Sequence, residues 1–142
     1  MDVGCPFKGR VWQDAGLWIP NQPSTFPTPP FPEYISGHSS FSRAAAEVLK
    51  RFNNSDNFGF SVSFPAGSSV IEPGAVPATT VTLTFPTLTN AADQAGLSRR
   101  YGGIHFQTAD LQARQVGLMI GGQAFAKAQT FWQGSAKGLL VK

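Results

Sequence analysis

Charge is scarce in this chain. Only 13% of its 142 residues are Asp, Glu, Lys or Arg, against 42% apolar. Globular chains average about a quarter charged. The balance is that of a folding chain rather than a disordered one, with a surface expected to be covered in part by more protein. The basic residues run from Lys8 to Lys142 without forming a stripe. A net charge of +3 spread that thinly gives no footprint for nucleic acid. Cysteine is nearly absent. Cys5 stands alone, so no intrachain disulfide and no cysteine metal cluster can form. Histidine is almost as rare, and two are too few for a structural zinc site. No apolar run approaches the ~20 residues of a membrane span. The opening "MDVGCPFKGRVW" lacks the apolar core of a secretory leader. The expectation is a soluble chain; secreted or periplasmic location stays open if the full-length protein carries a signal.

What the chain does have is proline and aromatic residues near its start. Six of its eleven prolines lie between Pro20 and Pro32. Proline lacks an amide donor and pushes its predecessor out of the helical region. Residues 1–34 therefore read as a stiff, extended arm. Its aromatics, Trp12, Trp18, Phe26, Phe31 and Tyr34, mark it as a packing arm rather than a linker.

Residues 35–142 read as mainly α with an insert. "RAAAEVLKRF" has strong helix propensity and predicts a helix over about 39–53, with Ala44, Ala45, Val48, Leu49 and Phe52 as its apolar stripe. "FGFSVSF" and "TTVTLTF" alternate in the strand period, with turn chemistry between them, and predict a small β or loop insert at about 58–87. A second helix is expected at 89–101, capped by Thr89 or Asn90 and ended by Gly102 and Gly103. A third is expected at 108–132, with Thr108 as N-cap and Asp110 in its first turn. It carries Gly117, Gly121 and Gly122. Each glycine costs a helix about 1 kcal/mol against alanine, so three of them argue for close approach by another helix.

Both histidines sit beside glycine and serine at a helix border. In "ISGHSS", Gly37 removes a side chain, Ser36 offers a hydroxyl, and the following helix presents unpaired amides and a positive dipole end. That is a cradle for an anion, with His38 placed to exchange a proton near neutral pH. In "SRRYGGIH", Arg99 lies six residues before His105, with the glycine pair between them. A break there turns His105 back toward Arg99, whose guanidinium forks two hydrogen bonds onto an oxyanion. A lone histidine is more often structural than catalytic. Here both histidines occupy such a context, which strengthens the pair.

"PPFPEYISGHSSFSRAAAEVL" and "SRRYGGIH" resemble two of the three signature blocks of the vanadium-dependent haloperoxidase and type 2 phosphatidic acid phosphatase superfamily. The proline-rich approach and "AADQAGLSRRYGGIHF" are closer to the bacterial haloperoxidases. The resemblance covers about Trp18 to Trp132. It implies a partial helical bundle of the haloperoxidase and acid phosphatase type, with vanadate as cofactor and phosphate as its substitute. Hydrogen peroxide and halide are the implied substrates. By position, His105 would bind vanadium or be a phosphatase nucleophile, and His38 would be the acid–base residue. Ser36, Gly37 and Arg99 would hold oxygens, and Phe31 would lie near the halide.

Three departures qualify this. Ile35 stands where the family has proline, a change expected to be tolerated. Asp110 falls one position after the phosphatase aspartate, which argues against phosphatase chemistry. The lysine–arginine–proline block is missing, since Lys8 and Arg10 are too close together and no proline follows Arg10. The chain is therefore expected to be the C-terminal catalytic part of a longer haloperoxidase, completed by an N-terminal polypeptide or by oligomerisation. Two alternatives stand beside it: an acid phosphatase using His105, and a non-catalytic remnant that packs or binds anions weakly.

Overall fold

The structure, a computed structural model, describes Trp12, residues 14–17 and residues 31–135. Most of the expected arm, with Cys5, Lys8, Arg10, Trp18 and Phe26, lies outside them. The chain divides into two compact units, one of Phe31–Phe60 and Phe85–Lys142, the other of Met1–Pro30 and Ser61–Thr84. In the second unit, a short 3-10 turn at Ala15–Leu17 is closed by Asp14, whose carboxylate accepts the Gly16 amide at 2.8 Å.

The first unit holds three helices, so the mainly α reading stands. Helix α1 spans Gly37–Asn53, α2 Leu88–Tyr101 and α3 Gln107–Trp132. Each starts slightly earlier than the sequence predicts, for a visible reason. Ser36 caps α1 by accepting the Ser39 amide, so Gly37 and His38 belong to its first turn. Thr87, rather than Thr89 or Asn90, caps α2 by accepting the Asn90 amide at 2.9 Å. Phe106 occupies the N-cap of α3 without a side-chain bond, and Thr108 is already helical. At its far end α1 closes on Asn54, in the left-handed conformation that asparagine tolerates.

The insert is a two-stranded ribbon of β1, Asn57–Phe64, and β2, Val81–Thr87. Ser61 lies opposite Thr84 and Ser63 opposite Thr82, so the strands run antiparallel. At its base, Asp56 accepts the Leu88 amide on its carbonyl and the Thr89 amide on its carboxylate.

Helix α1 packs mainly against α3 and secondly against α2. The glycines of α3 explain how. A Cβ at Gly117 would strike the Ser40 carbonyl, and one at Gly121 would lie 2.8 Å from Glu47 Cβ. The close approach expected of these glycines is made by α1 of the same chain. The expected apolar stripe of α1 is corrected. Ala46, Glu47 and Ser39 are its buried residues, whereas Ala45, Leu49 and Phe52 are exposed. Glycine backbones on α3 leave no room for large side chains on the facing side of α1. The Glu47 carboxylate is paired with Lys50 at 2.7 Å and Arg43 at 3.5 Å. Among the described residues no helix is long and apolar enough to cross a membrane.

Candidate oxyanion site

The site is assembled where α1 begins and where α2 turns into α3. Ser36 is the hinge of the first part. Its amide reaches the Ala109 carbonyl in α3 at 3.4 Å, and its hydroxyl caps α1. The first amides of a helix have no intrahelical acceptor. Ser36 satisfies that of Ser39, leaving those of Gly37 and His38 directed out of the helix end. A Cβ at Gly37 would meet only the Phe41 ring, at 3.9 Å. Packing within the chain therefore does not demand glycine there.

The second part is the turn after α2. Gly102 closes the helix on Ser98, Gly103 adopts φ +71°, and Ile104 returns its amide to the Arg99 carbonyl at 3.0 Å. A positive φ is cheap only for glycine. The chain thus folds back as the sequence predicts, and His105 is delivered to the interior. His105 is 7% exposed. Its Nδ1 lies 2.6 Å from the Glu33 carbonyl oxygen. A carbonyl only accepts, so Nδ1 carries the hydrogen and the neutral ring keeps its lone pair on Nε2. The Glu33 carboxylate reinforces this from 3.5 Å while accepting the Phe106 amide. Phe31 stacks against the imidazole, with centroids 6.3 Å apart and planes at 25°.

Glu33 is the contact to His105 that sequence reasoning missed. It is 72 residues from its partner, and the only available signal was its place just before "YISGH".

The two adjacent arginines of "SRRY" differ sharply. Arg100 bonds to Gln107 at 3.1 Å and pairs with Asp110 at 3.6 Å. Arg99 makes no ion pair among the described residues, and its Nε is buried without a hydrogen-bond partner. Such a group is costly to leave unmet. Its charge is felt at His38, which is exposed at the surface of α1. Desolvation first, then the charges of Arg99 and His105, holds the His38 imidazole below its ordinary value. Arg99 and His105 therefore both lie within electrostatic reach of His38.

Asp110 does not touch His105. It is completely buried and bonds to Ser39 and to Arg114, each at 2.8 Å. Burial alone would raise its carboxyl pKa. The hydrogen bonds from Arg114 and Ser39, with the charges of Arg114 and Arg100, outweigh that and hold it below the usual range. An aspartate so committed cannot orient His105. No group of three or more His, Cys, Asp or Glu side chains among the described residues converges as a cation site.

Comparison with known proteins places the fold. A family model described as the VCPO second helical-bundle domain matches residues 4–134. The chain resembles a holo-type bacterial vanadium-dependent chloroperoxidase with 32% identity and a TM-score of 0.72, covering 92% of this chain and 26% of that one. An apo-type bacterial vanadium-dependent chloroperoxidase matches at 33% identity and a TM-score of 0.68, over 74% and 23% of the two chains. A bacterial vanadium-dependent iodoperoxidase matches at 37% identity with a TM-score of 0.52, over 74% and 22%. No curated protein sequence matches. The chain spans about a quarter of the length of these relatives. With its matched helical-bundle domain, its two signature motifs and this shared fold, the chain belongs to the vanadium-dependent haloperoxidase family.

Proposed function

We propose that the chain is the vanadate-holding part of a haloperoxidase that oxidises halide with hydrogen peroxide. The observation that carries this reading is Arg99, a buried guanidinium nitrogen without a partner beside two histidines. An oxyanion is the group that such a donor accepts.

The residues present fit vanadate. Among the described residues, Arg99 Nε and the amides of Gly37 and His38 are donors without protein acceptors of their own. The Ser36 hydroxyl accepts from Ser39 and donates to no described residue. His105, with Nδ1 tied to Glu33, keeps Nε2 for the metal. Bound vanadate would supply Lewis acidity toward peroxide. Glu33 fixes the tautomer and ring direction of His105, as partners behind a metal ligand do. Phe31 shields one face of that ring from water. His38 moves the proton at the mouth of the site. Its depressed pKa keeps it a neutral base at lower pH than an ordinary histidine.

A longer protein supplies the remaining cations in this reading. The chain covers only about a quarter of the length of each of these relatives. Exposed Phe41, Leu49, Met119 and Ile120 would be covered by that remainder.

The test is vanadate- and peroxide-dependent bromination of a phenolic dye, by the chain alone and joined to its upstream sequence. Activity lost in His105→Ala is the expected result. Absence of bromination in both forms would sink the proposal. Vanadate-inhibited hydrolysis of a phosphate ester in its place would assign the pocket to phosphatase chemistry instead.

A further inference from the structure

We infer that Ser39, anchored by Asp110, seats the Ser36 hydroxyl so that its proton points into the oxyanion cradle; Ser39 and Asp110 are positioning residues. The inference rests on the reading of Ser36 as an oxyanion donor.

Ser36, Ser39 and Asp110 are the largest side chains completely buried in the described chain. They form a line. Asp110 accepts from Arg114 Nε and Nη2, both at 2.8 Å, and this fork fixes its carboxylate plane. The ionised carboxylate is an acceptor only. Ser39 Oγ lies 2.8 Å from Asp110 Oδ1 and 2.8 Å from Ser36 Oγ. It has one proton for two acceptors. Toward Ser39, the Ser36 hydroxyl is placed as an acceptor, of the Ser39 hydroxyl and of the Ser39 amide. The Ser36 proton is left over, with both lone pairs directed toward Ser39. When Ser36 gives its proton to an oxyanion, the single Ser39 proton turns from Asp110 to Ser36, and Asp110 keeps the two bonds from Arg114.

The arrangement draws on all three helices. Ser36 and Ser39 belong to the start of α1, and Asp110 to the first turn of α3. Helix α2 contributes an absence: a Cβ at Gly96 would collide with Asp110 and lie 2.6 Å from Ser39 Oγ. Gly96 thereby leaves room for the Ser39–Asp110 bond. Capping alone does not require this line, because Ser36 already caps α1 through the Ser39 amide.

The experiment is titration of the full chain with inorganic orthovanadate, read by vanadium NMR, in a double-mutant cycle. Ser36→Ala and Ser39→Ala are each expected to weaken binding on the order of fivefold. In the Ser36→Ala background, Ser39→Ala is expected to change nothing further. Ser39→Cys fills the same space with a weak donor and is expected to reproduce the loss if Ser39→Ala fails to fold. Unchanged affinity in Ser39→Ala and Ser39→Cys beside a weakened Ser36→Ala overturns the positioning role alone. A loss that persists undiminished in the Ser36→Ala background does the same, since it would be merely structural. A chain that binds no vanadate, or whose binding is unmoved by Ser36→Ala, overturns the reading of Ser36 as well.

Discussion

The start of α1 and its outer flank are built from opposite materials. At the start, Ser36, Ser39 and Asp110 are sealed from water, and their side chains bond to one another and to the Arg114 guanidinium. Along the flank, Phe41, Leu49 and Phe52 lie in the open. The usual order of inside and outside is inverted. Interior charge is costly unless fully paired, so the sealed region owes its stability to geometry. The apolar flank contributes little to the stability of this chain. Exposed apolar surface of this kind is what the proposed reading expects, since the chain covers about a quarter of the length of its relatives.

Breaking the sealed region should cost most. Asp110→Ala strips the partner from Arg114 and Ser39 and should destabilise the chain by about 3 kcal/mol in urea unfolding. Overpacking the helix contact comes next. Gly121→Ala drives a methyl against the Ala44 carbonyl and Glu47, with an expected loss of about 1–3 kcal/mol. Exposed apolar surface should respond least: Ile120→Ser, on the open side of α3, should move stability by no more than about 0.5 kcal/mol. A larger loss for Ile120→Ser than for Gly121→Ala would overturn the comparison.

Two pH effects sharpen it further. Asp110 has a folded pKa below its unfolded value. Its stabilisation is therefore complete above the ordinary aspartate range and is lost as pH falls through the lowered folded value. Unfolding measured against pH should show a flatter acid slope in Asp110→Asn than in the parent chain. His38 is depressed in part by Arg99. Removing that positive charge makes protonation easier, so Arg99→Ala should raise the His38 midpoint toward 6.5 in an NMR titration.

Much of this was legible in the sequence, and the remainder was hidden for physical reasons. The helices were readable because "RAAAEVLKRF" and the glycine-ended "SRRYGG" carry propensity and stop signals within a few residues. The return of His105 was readable because a glycine pair marks a turn, and Gly103 takes the positive φ this turn uses. What escaped was contact between distant residues. Glu33 meets His105 across 72 positions, and Ser39 meets Asp110 across 71. No local period encodes either. The stripe on α1 was misread because Ala45, Leu49 and Phe52 have helical spacing, yet α3 answers α1 with glycines. Spacing alone cannot tell which face a neighbour occupies. The opposite fates of Arg99 and Arg100 were likewise invisible, since they depend on which side of α2 faces Asp110.

Those two arginines give the most direct test. Orthovanadate titration of the full chain, followed by vanadium NMR, should show saturable binding that Arg99→Ala weakens at least about tenfold. Arg100→Ala, whose loss falls on Asp110 and Gln107, should leave that affinity within about twofold. Equal affinity in the parent chain and Arg99→Ala, or a larger loss in Arg100→Ala, would contradict the account.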